Sequence, residues 1–466
     1  NFNGGTLKAR LDNATFMQGL NGAYVYTNGA VIDSAGFNIT IAQNLAPATG
    51  YGLTNITVLN GGSGYIGAPY VQIIGGGGSN ATAVAQIDSD PNSPTYGSVT
   101  NVVITSAGTG YTSAPIIGFI GGGAVMPASP GLAMLGTNVG GGLTKVGSGV
   151  LTLSGTNTYT GPTIINAGVL QIGGNGSLAS DVTNNSALFF NPPAGITNLF
   201  GNFIAGTGYI AQVGAGVTVL TNVNAYSGST LISNGVLRAT DGVGISTASN
   251  LVLNGGVFET DTDFTRYFGL SNNTVSVMGG AGFSAFGAAP VNVSLDGGTT
   301  LVWGSTFFAP TNLILNAASA NTNVIFVNGL DFGGLNRTVS VYSVTAPAIM
   351  SGILTNGSLS KSGTGTLVLT GNNANYSNFI NGGTLKIGAN NTLWTNSFLS
   401  FGDNTNAPSG YGTLDLSDFS QTLGALSVQT TNRSATNSIV IGAGQQLTVL
   451  GNVIVGVDAK SGPQST

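Results

Sequence analysis

The sequence predicts an all-β solenoid, and three observations predict it: a composition of turn and strand formers almost without charge, a long segment that occurs twice, and a corner of Asn and Gly that recurs along the chain. Only 5% of the 466 residues are charged, and Glu259 is the single glutamate. Exposed helix faces need Glu, Lys and Arg, so the shortage argues against a helical protein. Gly, Asn, Thr, Ser, Val, Leu and Ile favour turns and pleated strands instead. A hydrophobic content of 42% supplies a core and excludes a disordered coil. At this length the chain is either several domains or an array that grows by stacking, and the uniform composition favours the array.

The duplicated segment fixes the architecture further. Lys145-Val-Gly147-Ser-Gly149-Val-Leu151-Thr-Leu153-Ser-Gly155 recurs 216 residues later as Lys361-Ser-Gly363-Thr-Gly365-Thr-Leu367-Val-Leu369-Thr-Gly371. A weaker copy, Gly214-Ala-Gly216-Val-Thr-Val-Leu220, keeps the two glycines but carries Gln212 in place of the lysine. Each copy is followed by a tyrosine (Tyr159, Tyr226, Tyr376), expected to pack between coils, and then by a corner at Asn166, Asn234 or Asn381. Asn3, Asn254 and Asp296 open the same corner, because Asn and Gly tolerate left-handed backbone. Gly149 and Gly365 are expected to turn corners with positive φ. Leu151 with Leu153, and Leu367 with Leu369, show the period of two that marks half-buried strands.

The run Gly142-Leu-Thr-Lys-Val-Gly-Ser-Gly-Val-Leu-Thr-Leu-Ser-Gly-Thr-Asn-Thr-Tyr-Thr-Gly161 resembles the autotransporter-associated β-strand repeat of bacterial passenger domains. Thr413 to Ser427 is similar to another segment common in such repeat proteins, so the resemblance covers residues 1–44 and most of 136–466. It implies a right-handed parallel β-helix at the bacterial cell surface or outside the cell, with no particular activity and no catalytic residues. Roughly 15 to 20 coils are expected.

A second duplication lies inside the first region. Gly62-Ser-Gly64-Tyr65-Ile-Gly-Ala-Pro69 and Gly75 to Gly77 return 46 residues later as Gly108-Thr-Gly110-Tyr111-Thr-Ser-Ala-Pro115 and Gly121 to Gly123. The expected organisation is therefore first coils over 1–44, an inserted tandem Gly-rich β module over 45–135, and the main solenoid over 136–466.

Chemistry has little to work with. The absence of His and Cys excludes histidine triads, thiol nucleophiles and most zinc sites. Glu259, Asp261 and Asp263, followed by Arg266, would place three carboxylates on one strand face, open to a calcium site or an acid pair; a solvated strand or loop is the favoured reading. Asp88 and Asp90 stand among turn formers and read as a loop. The runs Gly75 to Gly78 and Gly121 to Gly123 lack the Gly-Lys-Ser/Thr of a phosphate cradle, and Tyr65 and Tyr111 read as packing residues rather than sugar platforms. No catalytic residue, cofactor or metal ligand is assigned. A net charge of −5 argues against nucleic acid, and the apolar stretch Ser113 to Gly136 is broken by Pro115, Pro127 and Pro130, so no membrane span is expected.

The expected function is an extracellular structural fibre or cell-surface scaffold and not an enzyme; an adhesin that binds a surface or glycan through the 45–135 module is the first alternative, and a carbohydrate-active β-helix enzyme the second. Asn1-Phe-Asn-Gly-Gly-Thr-Leu-Lys8 reads as half a repeat and Gln446 to Val457 as a strand-rich end without a cap. Open ends are expected to pair head-to-tail with further copies of the protein, unless the chain is a piece of a longer solenoid. The start at Asn1 rather than Met fits processing of a secreted precursor.

Overall fold

The computed structural model describes residues 1–401, 411–430 and 436–457. The period of two in the sequence becomes short strands that pair in parallel with the coil before and the coil after, about 19 turns in all. Thr366–Leu369 shows the local logic: Leu367 and Leu369 point inward and are buried, while Thr366 and Val368 are partly exposed. Among the described residues the helical content is one turn, Asp296–Gly298.

Two compact units are formed, one of Asn1–Leu170 with Gly176–Thr183 and one of Gln171–Asn175 with Asn184–Thr466. In the second, identical positions of successive coils stack into columns, as in Ala348, Leu367, Leu385 and Leu414, all buried. Each such leucine contributes about 1.5 to 3 kcal/mol on burial, so stability accumulates coil by coil. The few charges obey the same register. Lys8 lies opposite Asp33, Arg238 opposite Glu259 and Lys386 opposite Asp415, each pair on neighbouring strands and each an ion pair. Opposite charges directly across a strand pair attract, and like charges there would repel.

Buried amides tie coil to coil. The side-chain carbonyls of Asn157, Asn224 and Asn373 accept from the backbone N–H of Leu45, Ile204 and Leu354, at 3.1, 2.8 and 2.8 Å. Two residues beyond the first two asparagines sit Tyr159 and Tyr226, fully buried as expected. Each hydroxyl lies 2.6 Å from a threonine (Thr163, Thr230), which lies 2.9 Å from a serine of the next turn (Ser180, Ser249). Tyr376 departs from the expectation and is 54% exposed. Two residues are missing between it and its corner, so Asn375 takes the buried position and its amide donates to Asn378 at 2.8 Å.

Burial pushes both Tyr159 and Tyr226 up to about 12, from 10.0. The unfolded chain loses these protons near pH 10 and the folded chain only near pH 12, so folding stability falls as pH rises across that window. The urea midpoint is expected to drop over this range, and the double variant Tyr159→Phe/Tyr226→Phe should show a clearly flatter drop.

The glycine expectation needs correction. Positive φ belongs to Gly147 (78°) and Gly363 (77°), not to Gly149 and Gly365. The latter are required for another reason: a Cβ would fall on the carbonyl oxygen of Phe37 at Gly149, or of Ser343 at Gly365, on the neighbouring coil.

Between the coils of the first unit, the strands from Tyr51–Asn60 to Ser129–Thr137 pair antiparallel. Tyr70–Ile74 and Ile116–Ile120 are equivalent strands of the tandem repeat and pair with each other, with the equivalent residues Gln72 and Gly118 directly opposite. The duplication is thus a local two-fold. Each glycine run serves the other copy: a Cβ at Gly76 or Gly78 would strike the Tyr111 ring, and one at Gly122 the Tyr65 ring. Both tyrosines are buried, as a packing role requires. Leu53, Ile56, Val71, Val99 and Ile117 complete this core.

Candidate functional site

Lys145 and Lys361 occupy interior columns, between Ile32 and Ile165 and between Val339 and Ile380. Both are fully buried. The Lys361 ammonium donates to the carbonyls of Ser362, Gly363 and Gly382 at 2.8, 3.0 and 2.9 Å. Lys145 does the same to Val146, Gly147 and Ala167 and adds Ser34 Oγ. Three N–H bonds thus plug a corner whose carbonyls have turned inward. Gln212 stands in the same column position, between Phe190 and Ile232, and donates to Gly214 and Gly216. Burial lowers Lys145 to about 8 and Lys361 to about 7. The unfolded chain keeps these protons to higher pH, so their contribution to stability rises with pH towards 10.5. These lysines are structural, not a site.

The antiparallel strands present a different surface. Val71 and Ile117 point into the core, so the alternate residues point out: Tyr70 is 67%, Ile74 52%, Ile116 75% and Ile120 50% exposed. The register sets Ile116 against Ile74 and Ile120 against Tyr70. The two-fold therefore doubles one apolar pair into two, with Gln72 and Gly118 between them and no charge on the face. Exposed apolar clusters of this kind mark contact surfaces. Asp88 and Asp90 lie elsewhere in a loop, as expected, where Asp88 accepts from Thr95 and from the backbone of Asp90.

The acidic cluster of the second unit is not one strand face. Val257–Thr260 ends before Asp261, so Glu259 turns into the protein while Asp261 and Asp263 stay exposed on the following turn. Glu259 is fully buried and far from solvated. It accepts from Arg238 Nε at 2.6 Å, from Ser284 Oγ at 2.8 Å and from Ser319 Oγ at 2.7 Å. Arg266 is buried too, forked on Asp241 at 2.5 and 3.1 Å. Asp261 accepts from Thr240 Oγ1 at 2.6 Å, and Asp263 from the backbone and amide of Asn292. Arg238, Thr240, Asp261 and Phe286 line a cleft of about 330 Å³, floored in part by Val219 and Val243. Among the described residues no group of three or more acidic side chains could hold a metal ion. No helix among them is long and apolar enough to cross a membrane.

Sequence comparison bears on the coils. The passenger-associated-transport-repeat family matches residues 143–172, 210–239 and 359–387, the three copies that contain Lys145, Gln212 and Lys361. The chain is 29% identical over 220 residues to the adhesin BmaC autotransporter of Brucella suis biovar 1 (strain 1330). That alignment takes in 35% of this chain and only 6% of the relative's length. No solved structure matches. Stacked parallel coils, three matches to the passenger-associated-transport repeat and an autotransporter relative support one reading: a β-solenoid similar to autotransporter passengers, at the bacterial cell surface or in the space outside it.

Proposed function

We propose that the protein is a surface adhesin in which the coils form the support and the antiparallel module makes the contact. The observation that carries this reading is the uncharged face of Tyr70, Ile74, Ile116 and Ile120, doubled by the internal two-fold and left open to solvent. A module of antiparallel strands set among parallel coils adds no turn to the stack, whereas it does supply an exposed, uncharged and mostly apolar patch. The relative described as an adhesin supports the same reading. The reading is non-catalytic: both oxygens of Glu259 are engaged by Arg238, Ser284 and Ser319, so it makes no acid partner for Asp261.

Beads carrying the full chain should be retained on epithelial monolayers, and replacing Tyr70, Ile74, Ile116 and Ile120 together by Thr is expected to cut retention about fivefold or more. Undiminished retention, with the unfolding midpoint preserved, would remove the module from the contact.

Head-to-tail self-association is a second reading. Val453, Ile454 and Val455 of the strand Val453–Val457 are apolar and exposed, a surface suited to pairing with another copy of the chain. Light scattering at rising concentration tests it: growth in mass supports pairing between copies, and a constant monomer mass rejects it.

A further inference from the structure

The cleft beside Arg238 has features that neither the coil packing nor the adhesive module uses. Arg238 is held on two sides. Its Nε is committed to the buried Glu259, and its Cζ lies 3.3 Å from the centroid of the Phe286 ring. Among the described residues, nothing accepts from its two terminal amino groups. A guanidinium fixed by an ion pair and by ring stacking has lost most of its rotamer freedom before any ligand arrives, which lowers the cost of binding. Opposite in role stands Asp261, whose Oδ1 takes the Thr240 hydroxyl and whose second oxygen is left to accept. Val219, Val243 and Phe286 give the remaining lining an apolar character.

We infer that this cleft binds one neutral sugar ring through a pair of adjacent hydroxyls. Each hydroxyl both donates and accepts, so one of the pair can donate to Asp261 while the other accepts from Arg238. The C–H face of the ring then meets the apolar wall, and a cleft of about 330 Å³ is of the size that holds one small ligand. Charge selects against the obvious rivals. One guanidinium faces two carboxylates, Glu259 and Asp261, so the local balance is negative and an acidic sugar is repelled. The engagement of Glu259 keeps the site one of binding rather than cleavage.

The cleft shares no residue with the module face, so the experiment separates the two. Titration calorimetry of the full chain with glucose, galactose, mannose and glucuronate should show saturable binding of at least one neutral hexose, with a Kd on the order of millimolar. Glucuronate should bind more weakly than that hexose. Asp261→Asn keeps the shape of an exposed side chain and should weaken binding about tenfold or more with an unchanged unfolding midpoint. Arg238→Lys, which retains a cation for Glu259 but loses the planar fork, should weaken it comparably. Absence of binding by all three hexoses, preference for glucuronate, or Asp261→Asn binding like the unaltered protein would each overturn the assignment, the last by moving the sugar elsewhere on the chain.

Discussion

Replacing Lys361 by Met is expected to lower the stability of the protein by about 3 to 5 kcal/mol. The apolar stem survives in methionine, but the ammonium does not. The carbonyls of Ser362, Gly363 and Gly382 then face the interior without a donor, and a buried carbonyl cannot turn to water without opening the corner. Lys361→Gln should cost less than half as much. The protein performs that exchange itself at Gln212, whose amide reaches Gly214 and Gly216 at 2.8 and 3.2 Å. Urea unfolding of the three proteins at about pH 5, where Lys361 carries all three N–H groups, gives the ordering. Equal losses for Met and Gln would show that the bonds to the corner contribute nothing and that the lysine merely fills space.

Gly365→Ala is the second large effect, about 3 kcal/mol or more. Its backbone does not need a left-handed residue, so the loss has one source: the added methyl would fall on the Ser343 carbonyl of the preceding coil, with Val341 beside it. Neither can retreat, because Val341 and Ser343 are themselves held in the stack. Thr370→Val, five residues on and exposed, is expected to stay within about 0.5 kcal/mol. Comparable melting for the two variants would mean that the coils are spaced more loosely than the carbonyl contact implies.

The fold was legible because its two signals are local: the period of two in Leu367 and Leu369, and the corner of Asn and Gly. The repeated lysine was visible as a repeat, yet its task was not. Its acceptors include Ala167 and Gly382, which belong to the following turn, and no pattern within eleven residues points to them. The same holds for Gly76 and Gly122, whose partners are the tyrosines of the other copy. Two misreadings had signals that could have corrected them. An offset of 216 from Tyr159 lands on Asn375 rather than Tyr376, so the shortened copy already moves its tyrosine out of the buried position. Arg238 and Glu259 lie 21 residues apart, the spacing of Gly235-Val236 and Gly256-Val257, so aligning the two coils on that dipeptide would have matched the glutamate with a cation. Where Asp261 and Asp263 go depends on the strand stopping at Thr260, and the Thr-Asp-Thr-Asp run gives no hint of that.

The most direct test of a contact module carried on a supporting stack is to remove the module and keep the coils. Thr137 pairs with Tyr51, and Asn138 N–H donates to Gly50 at 2.8 Å, so a short Gly-Ser link can join residue 50 to residue 138 without stretching either side. Retention of beads carrying this shortened chain on epithelial monolayers should fall to the level of bare beads, while the unfolding transition of the coils persists. Retention equal to that of the full chain would place adhesion on the coils and contradict the account.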